Sequence, residues 1–295
     1  MRKSFFDSLT EVTGNDEKII FLTADLGFGF VEPYMKKYSS QFINVGVSEQ
    51  AMLSLANGLA ISGKKVICYS IAAFALVRPF EFFRNGAIAQ KSAVMVVGVG
   101  PGFDYSQDGI SHYCLEDLAM VQSQPGVSIQ TPFTSAAVNE CVKNYVKNPK
   151  PTYLRLPRNV DQHKVIDFQS TEPRSVDVLI YCTALMSRRA HEVSEKLNGL
   201  GIDSVIGSTH EISVESDKKI LEHIKKAKKV LVIEDHYEFG GIGTRINELV
   251  SSNQLNIPVI KDSVTGIPSG SIGDFAYMES KLMKEIEVVV SLLKK

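Results

Sequence analysis

Two short segments of this 295-residue chain place an ionisable side chain where it could handle a proton. In NVGVSEQAM, residues 44–52, Glu49 falls in the first turn of a helix that follows a strand-like approach. A carboxylate there favours the helix dipole and can cap free N–H groups, so a purely structural role is open. The residues after it, Ala51, Leu53, Ala56 and Gly58, are small or apolar and would leave the carboxylate partly buried. A glutamate that shares a proton with a ring nitrogen needs such a setting. In QDGISH, residues 107–112, Asp108 and His112 flank a glycine on the loop after the apolar run VMVVGV. Open α/β sheets bind ligands beyond the carboxyl ends of their strands. Asp108 could contact a substrate hydroxyl there, and His112 could move a proton or stabilise an oxyanion. A turn carrying a surface histidine is the alternative.

Charged and aromatic side chains supply further candidates. Arg2 precedes the first expected element, and Arg158 ends LRLPR after a strand. Each could be an ordinary surface arginine; together they could clamp a phosphate. Phe74, Phe80, Phe82 and Phe83 cluster after the strand KVICY. Such clusters are mostly core, but one ring could stack on a flat heterocycle. Gly98, Gly100 and Gly102 do not spell GxGxxG, and Pro101 disrupts the loop-to-helix geometry of a dinucleotide fingerprint. Gly240, Gly241 and Gly243 open a helix, as a phosphate cradle or simply as a tight turn.

These residues hang on alternating strands and helices. Strands are expected at 18–23, 65–69, 94–99, 127–130 and 153–156, and helices at 48–62, 78–89 and 135–146. The pattern lapses over residues 158–174 and then restarts. Strands follow at 177–182, 203–206, 229–234 and 258–260, with helices at 186–197, 217–226, 240–249 and 278–293. Doubly apolar strands alternating with helices predict an α/β fold of two domains, each a mostly parallel sheet flanked by helices. The first domain is expected at 1–160, a linker at 161–174 and the second domain at 175–295.

Composition excludes several function classes. Lys and Arg number 32 against 33 Asp and Glu, which gives no electrostatic footprint for nucleic acid. The longest clean apolar run is about eight residues where a membrane span needs about 20, so no membrane partner is expected. Residues 1–7 are polar without a signal-peptide core. Cys68, Cys114, Cys141 and Cys182 show no CxxC spacing, which argues against zinc and disulfides and for a reducing cytoplasm. No metal ligands are expected in this chain.

In order, the segments TADLG (23–27), NVGVSEQAM with SLANGLA (44–60), RPFEFFRN (78–85), QDGISH and YLRLPR (153–158) resemble the C-terminal part of the transketolase family. The later VLVIEDHYEFGGIG (230–243) is similar to the C-terminal domain of the same superfamily, so the resemblance spans the whole chain. It implies thiamine diphosphate as cofactor and transfer of a two-carbon ketol unit between sugars or sugar phosphates. Glu49 matches the glutamate that hydrogen-bonds the aminopyrimidine N1′ and favours the imino tautomer. Phe74 matches the aromatic that stacks on the pyrimidine, with Ile71 and Val77 on either side. Asp25 and Leu26 match residues near the cofactor. His112 and Asp108 match groups on the donor's carbonyl and hydroxyls, and Arg2 and Arg158 match arginines that hold a sugar phosphate.

The family's N-terminal domain, whose GDG segment binds the diphosphate and its metal, has no counterpart here; Gly273-Asp274 is followed by Phe275. The resemblance therefore implies a split enzyme. A separate partner subunit would carry the diphosphate and Mg2+ or Ca2+, in an α2β2 complex. The chain also departs from the pattern. Gly100 stands where many members have a histidine eight residues before Asp108, and Tyr113 stands in place of a glutamine. An unusual sugar phosphate or a related acyloin-type transfer fits these changes. Alternatives are the β-subunit of the decarboxylating component of a 2-oxoacid dehydrogenase and a catalytically inactive scaffold or regulatory subunit.

Overall fold

The computed structural model describes residues 1–160, 164–266, 270 and 272–294. Residues 161–163 of the expected linker lie outside the described residues. In chain order the strands are β1 Ile19–Thr23, β2 Phe42–Asn44, β3 Lys65–Ile71, β4 Val94–Val99, β5 Ser128–Gln130 and β6 Thr152–Leu156, then β7 Ile166–Asp167, β8 Val176–Cys182, β9 Ser204–Ser208, β10 Glu211–Ile212, β11 Ala227–Tyr237 and β12 Val259–Val264. The helices are α1 Arg2–Thr13, α2 Val31–Lys37, α3 Glu49–Ile61, α4 Phe80–Phe82, α5 Asp117–Gln122 and α6 Ser135–Lys147, then α7 Ser187–Asn198, α8 Val214–Ile224, α9 Ile242–Ser252, α10 Phe275–Leu282 and α11 Ile286–Lys294.

Two sheets result, as the alternation predicts. The first runs β10-β5-β6-β4-β3-β1-β2 and is parallel except for β10, which pairs antiparallel with β5. The second, β12-β11-β8-β9-β7, is wholly parallel. Every residue of β1 and β4 is buried. Continuous apolar strands of this kind need helices on both faces, and the helices supply them. Among the described residues no helix is long and apolar enough to cross a membrane.

Several elements differ from expectation. Arg2 does not precede the first element but opens α1, which buries Phe5, Phe6, Leu9 and Val12 at helical spacing. The helix expected at 78–89 is broken. Residues Ala73–Val77 and Phe83–Ile88 form π-helical turns around the short α4. Pro79 lacks an N–H and interrupts the helical ladder there. The terminal helix is split into α10 and α11 at Met283. Within 158–174, β7 pairs with Gly207 and Ser208, and Phe168 is fully buried. A β-carbon at Gly207 would meet the Phe168 ring at 2.3 Å, so that pairing needs glycine.

The two sheets are joined through buried ions. Arg155 on β6 donates to Asp117 Oδ2 at 2.8 Å and to Asp235 Oδ1 at 3.0 Å, and all three are buried. Tyr153 also donates to Asp117, and Thr183 to Asp235. Burial pushes the Asp235 carboxyl up, and the Arg155 charge outweighs it, holding the group below its ordinary range.

Candidate active site

Glu49 opens α3 just past the carboxyl end of the first sheet and is buried, with 2% of its surface exposed. Its Oε2 accepts from Arg78 Nη1 at 2.8 Å. The Arg78 guanidinium carbon in turn lies 4.2 Å from the centroid of the Phe74 ring. Phe74 meets His112 edge to face, with centroids 5.0 Å apart. Three of the sequence candidates therefore form one file, with Arg78 as the link the sequence reading left out. The π-helical turn at Ala73–Val77 positions it. Its widened ladder, with Arg78 N donating to Ala73 O, brings Phe74 and Arg78 onto one side.

Ile71 ends β3 immediately before this turn, and Val77 closes the turn, packed with Phe74 beside Ala72, Ala73 and Cys114. Asp25 and Leu26 lie at the end of β1, the strand next to β3. Asp25 takes a left-handed φ of +51°. The Asn44 amide steadies it by accepting its N–H at 3.0 Å and donating to its Oδ1 at 3.2 Å. Among the described residues no hydrogen bond or ion pair joins Asp25 or Leu26 to the Glu49 file.

The second group gathers around Asp104. The backbone N–H of Arg158 donates to Asp104 Oδ2 at 2.7 Å, and the Arg158 guanidinium lies 4.4 Å over the Tyr105 ring. Burial pushes the Asp104 carboxyl up to about 6, against the pull of Arg158 and Arg2. Arg158 lines the cavity beside Asp104, whereas Arg2 is not among its lining residues and rests 5.2 Å from the Phe30 ring. The Nε atoms of both arginines are buried without a hydrogen-bond partner. Asp108 is exposed at the rim of a cavity of about 360 Å3 that Asp104, Tyr105 and Arg158 also line. The Tyr105 ring is 6.2 Å from His112 and so connects the two groups.

Asp104 and Tyr105 escaped the sequence reading because they sit in a loop without periodicity. Gly100 carried the available signal. A β-carbon there would lie 2.2 Å from Tyr105 Cε2, so the ring fills the space that a larger residue would take. The glycines at the start of α9 prove structural. Glu234 accepts from Ile242 N at 2.7 Å and from Gly243 N at 3.2 Å. A carboxylate of the protein itself thus takes the place of an incoming anion.

Comparison with known proteins identifies the family. Residues 1–161 match the pyrimidine binding domain of transketolase, and residues 170–274 match the transketolase C-terminal domain. The chain is 28% identical over 283 residues to one of the subunits of the apulose-4-phosphate transketolase of Phocaeicola vulgatus, covering 92% of this chain and 88% of that one. It is 28% identical over 279 residues to a putative transketolase C-terminal section of Methanocaldococcus jannaschii, with 90% and 87% covered. A solved split-gene transketolase, an inactive β4 tetramer, superposes with a TM-score of 0.82 at 25% identity, over 99% of this chain and 96% of that one. With its two halves matched in order by two transketolase domains, this chain belongs to the transketolase family.

Proposed function

We propose that this chain is one subunit of a thiamine-diphosphate-dependent transketolase that moves a two-carbon ketol unit between sugars or sugar phosphates in the cytoplasm. Residues 1–160 would be its pyrimidine-binding domain, 161–174 a linker and 175–295 its C-terminal domain. The observation that carries the reading is the file Glu49–Arg78–Phe74–His112. Arg78 tests the fit: its guanidinium is flat, delocalised and rich in donors, and it engages both the Glu49 carboxylate and the Phe74 face. A protonated aminopyrimidine asks for the same two contacts, and the half-exposed Arg78 side chain can give way to it.

Thiamine diphosphate, when bound, supplies a carbon acid whose conjugate base adds to a ketose carbonyl. Glu49 would hold the proton at the pyrimidine N1′, and its burial keeps that proton from exchange with water. Phe74 would fix the ring plane, Ile71 and Val77 would close its apolar edges, and Asp25 and Leu26 would border it at the end of β1. His112 and Asp108 would contact the donor's carbonyl and hydroxyls. Arg2 and Arg158 would hold the phosphate through their guanidinium donors.

The diphosphate and its Mg2+ or Ca2+ are assigned to a separate subunit, in an α2β2 complex. Relatives named as a transketolase subunit and as a transketolase C-terminal section support this division. The inactive β4 tetramer among solved relatives supports an inactive state without the partner. Purifying the chain with its native partner, then measuring bound thiamine diphosphate and ketol transfer, tests the reading. The complex should turn over and the isolated chain should not; turnover by the chain alone would overturn the split-site reading.

A further inference from the structure

Tyr105 combines three properties that no assigned role uses. First, its ring is fixed. Gly100 has a φ of +66°, and a β-carbon there would lie 2.2 Å from Cε2 and 2.4 Å from Cδ2 of Tyr105. The Arg158 guanidinium covers the ring at 4.4 Å. Second, the Tyr105 side chain lies between the two functional groups, 6.2 Å from His112 by ring centroids and beside Arg158 and Asp104. Third, its hydroxyl makes no hydrogen bond to any described residue, yet the side chain lines the cavity shared with Asp108 and Arg158. Burial raises the phenol above its ordinary range, so it stays protonated and able to donate. A half-buried donor held rigid in a polar cavity is preorganised for an oxygen acceptor.

We propose that Tyr105 is a specificity-determining residue whose hydroxyl donates to a hydroxyl or carbonyl oxygen of a sugar phosphate lying between His112 and Arg158. The proposal rests on the ketol-transfer reading above. Gly100 serves it by leaving room for the ring: the bare Cα lets the phenol lie against the end of β4, where any larger side chain would expel it. The ligand is therefore a polyhydroxylated chain with an anionic end, one of its oxygens meeting Tyr105 while the anionic end meets Arg158 in the same cavity.

Y105F removes the hydroxyl and keeps the ring. It is tested in the complex with the partner subunit against two donors. One is whichever of xylulose 5-phosphate and fructose 6-phosphate the wild type turns over. The other is hydroxypyruvate, which yields the same two-carbon unit with loss of carbon dioxide. The KM of the ketose phosphate should rise about three- to tenfold relative to that of hydroxypyruvate, the weight of one hydrogen bond. Equilibrium binding of the ketose phosphate to the E49Q complex should weaken by the same factor when Y105F is added. G100A, which displaces the ring, should reproduce the shift and not add to it in the double variant. Equal changes for both donors, or none, overturn the proposal while leaving the transketolase reading intact. Turnover of hydroxypyruvate with neither ketose phosphate overturns the proposal alone; no turnover of any of the three donors by the wild-type complex overturns both.

Discussion

The Arg78 guanidinium lies 2.8 Å from the Glu49 carboxylate, which is otherwise buried. The chain thus folds around a negative charge at the start of α3 by supplying its own cation. Glu49→Gln keeps the shape and leaves an oxygen for Arg78, so the thermal midpoint of the isolated chain should stay within a few degrees. Turnover of the reconstituted complex should fall at least about 100-fold, the scale of a lost proton-transfer group. A complex that turns over at the wild-type rate would remove Glu49 from the proton chemistry.

Much of this site was legible in the sequence because its parts sit at strand ends, where periodicity stops. Glu49 and His112 are legible that way, Phe74 is singled out from its aromatic cluster only by the family resemblance, and the structure brings the three together. Arg78 was hidden because the expected helix began at 78 and left Phe74 outside it, whereas helical backbone already starts at Ala73 and sets the two side chains four residues apart on one face. α1 carried a clear 5, 6, 9, 12 apolar spacing that the polar residues between them masked. β7 and β10 have two residues each and owe their place to partners distant in sequence, so no local pattern announces them. The Asp104–Arg158 pair likewise joins residues 54 apart in the chain.

Arg158 offers a test of phosphate recognition. Its side chain is one-third exposed and reaches the cavity from the Tyr105 side. Arg158→Ala should raise the KM of a phosphorylated donor about tenfold or more, and that of its unphosphorylated analogue much less. Equal changes for the two donors would make Arg158 structural.

Asp104 predicts a pH dependence on the same cavity. Its carboxyl, pushed to about 6 by burial, faces Arg158 and Arg2, with Asp235 adding repulsion. Because the folded value lies above the ordinary one near 3.9, the group's contribution to stability is fully present below that ordinary value. It is lost as pH rises through about 6. Ionised Asp104 also repels an anionic substrate, so the KM of a phosphorylated donor should rise between about pH 5 and 7. Asp104→Asn should flatten both profiles over that window. A wild-type slope that persists in the variant would assign it to the substrate's own phosphate.

Arg155 couples this cavity to the second sheet. It bridges Asp117 and Asp235, both wholly buried, and Asp235 also packs against the loop that carries Tyr105: a β-carbon at Gly102 would meet Asp235 Oδ2 at 2.0 Å. Arg155→Met preserves volume but strands two carboxylates away from water. Breaking a buried pair in this way costs about 3–5 kcal/mol, visible as a lowered urea midpoint. The pH response supplies the sign. In the wild type Asp235 is held below its ordinary range, so its contribution is present above that range and lost as pH falls through the folded value. Without Arg155 the balance at Asp235 inverts: burial then raises its carboxyl, and the variant should regain stability relative to wild type as pH drops from 7 toward 5. A variant whose deficit is the same at both pH values would show that Arg155 acts by packing rather than by charge.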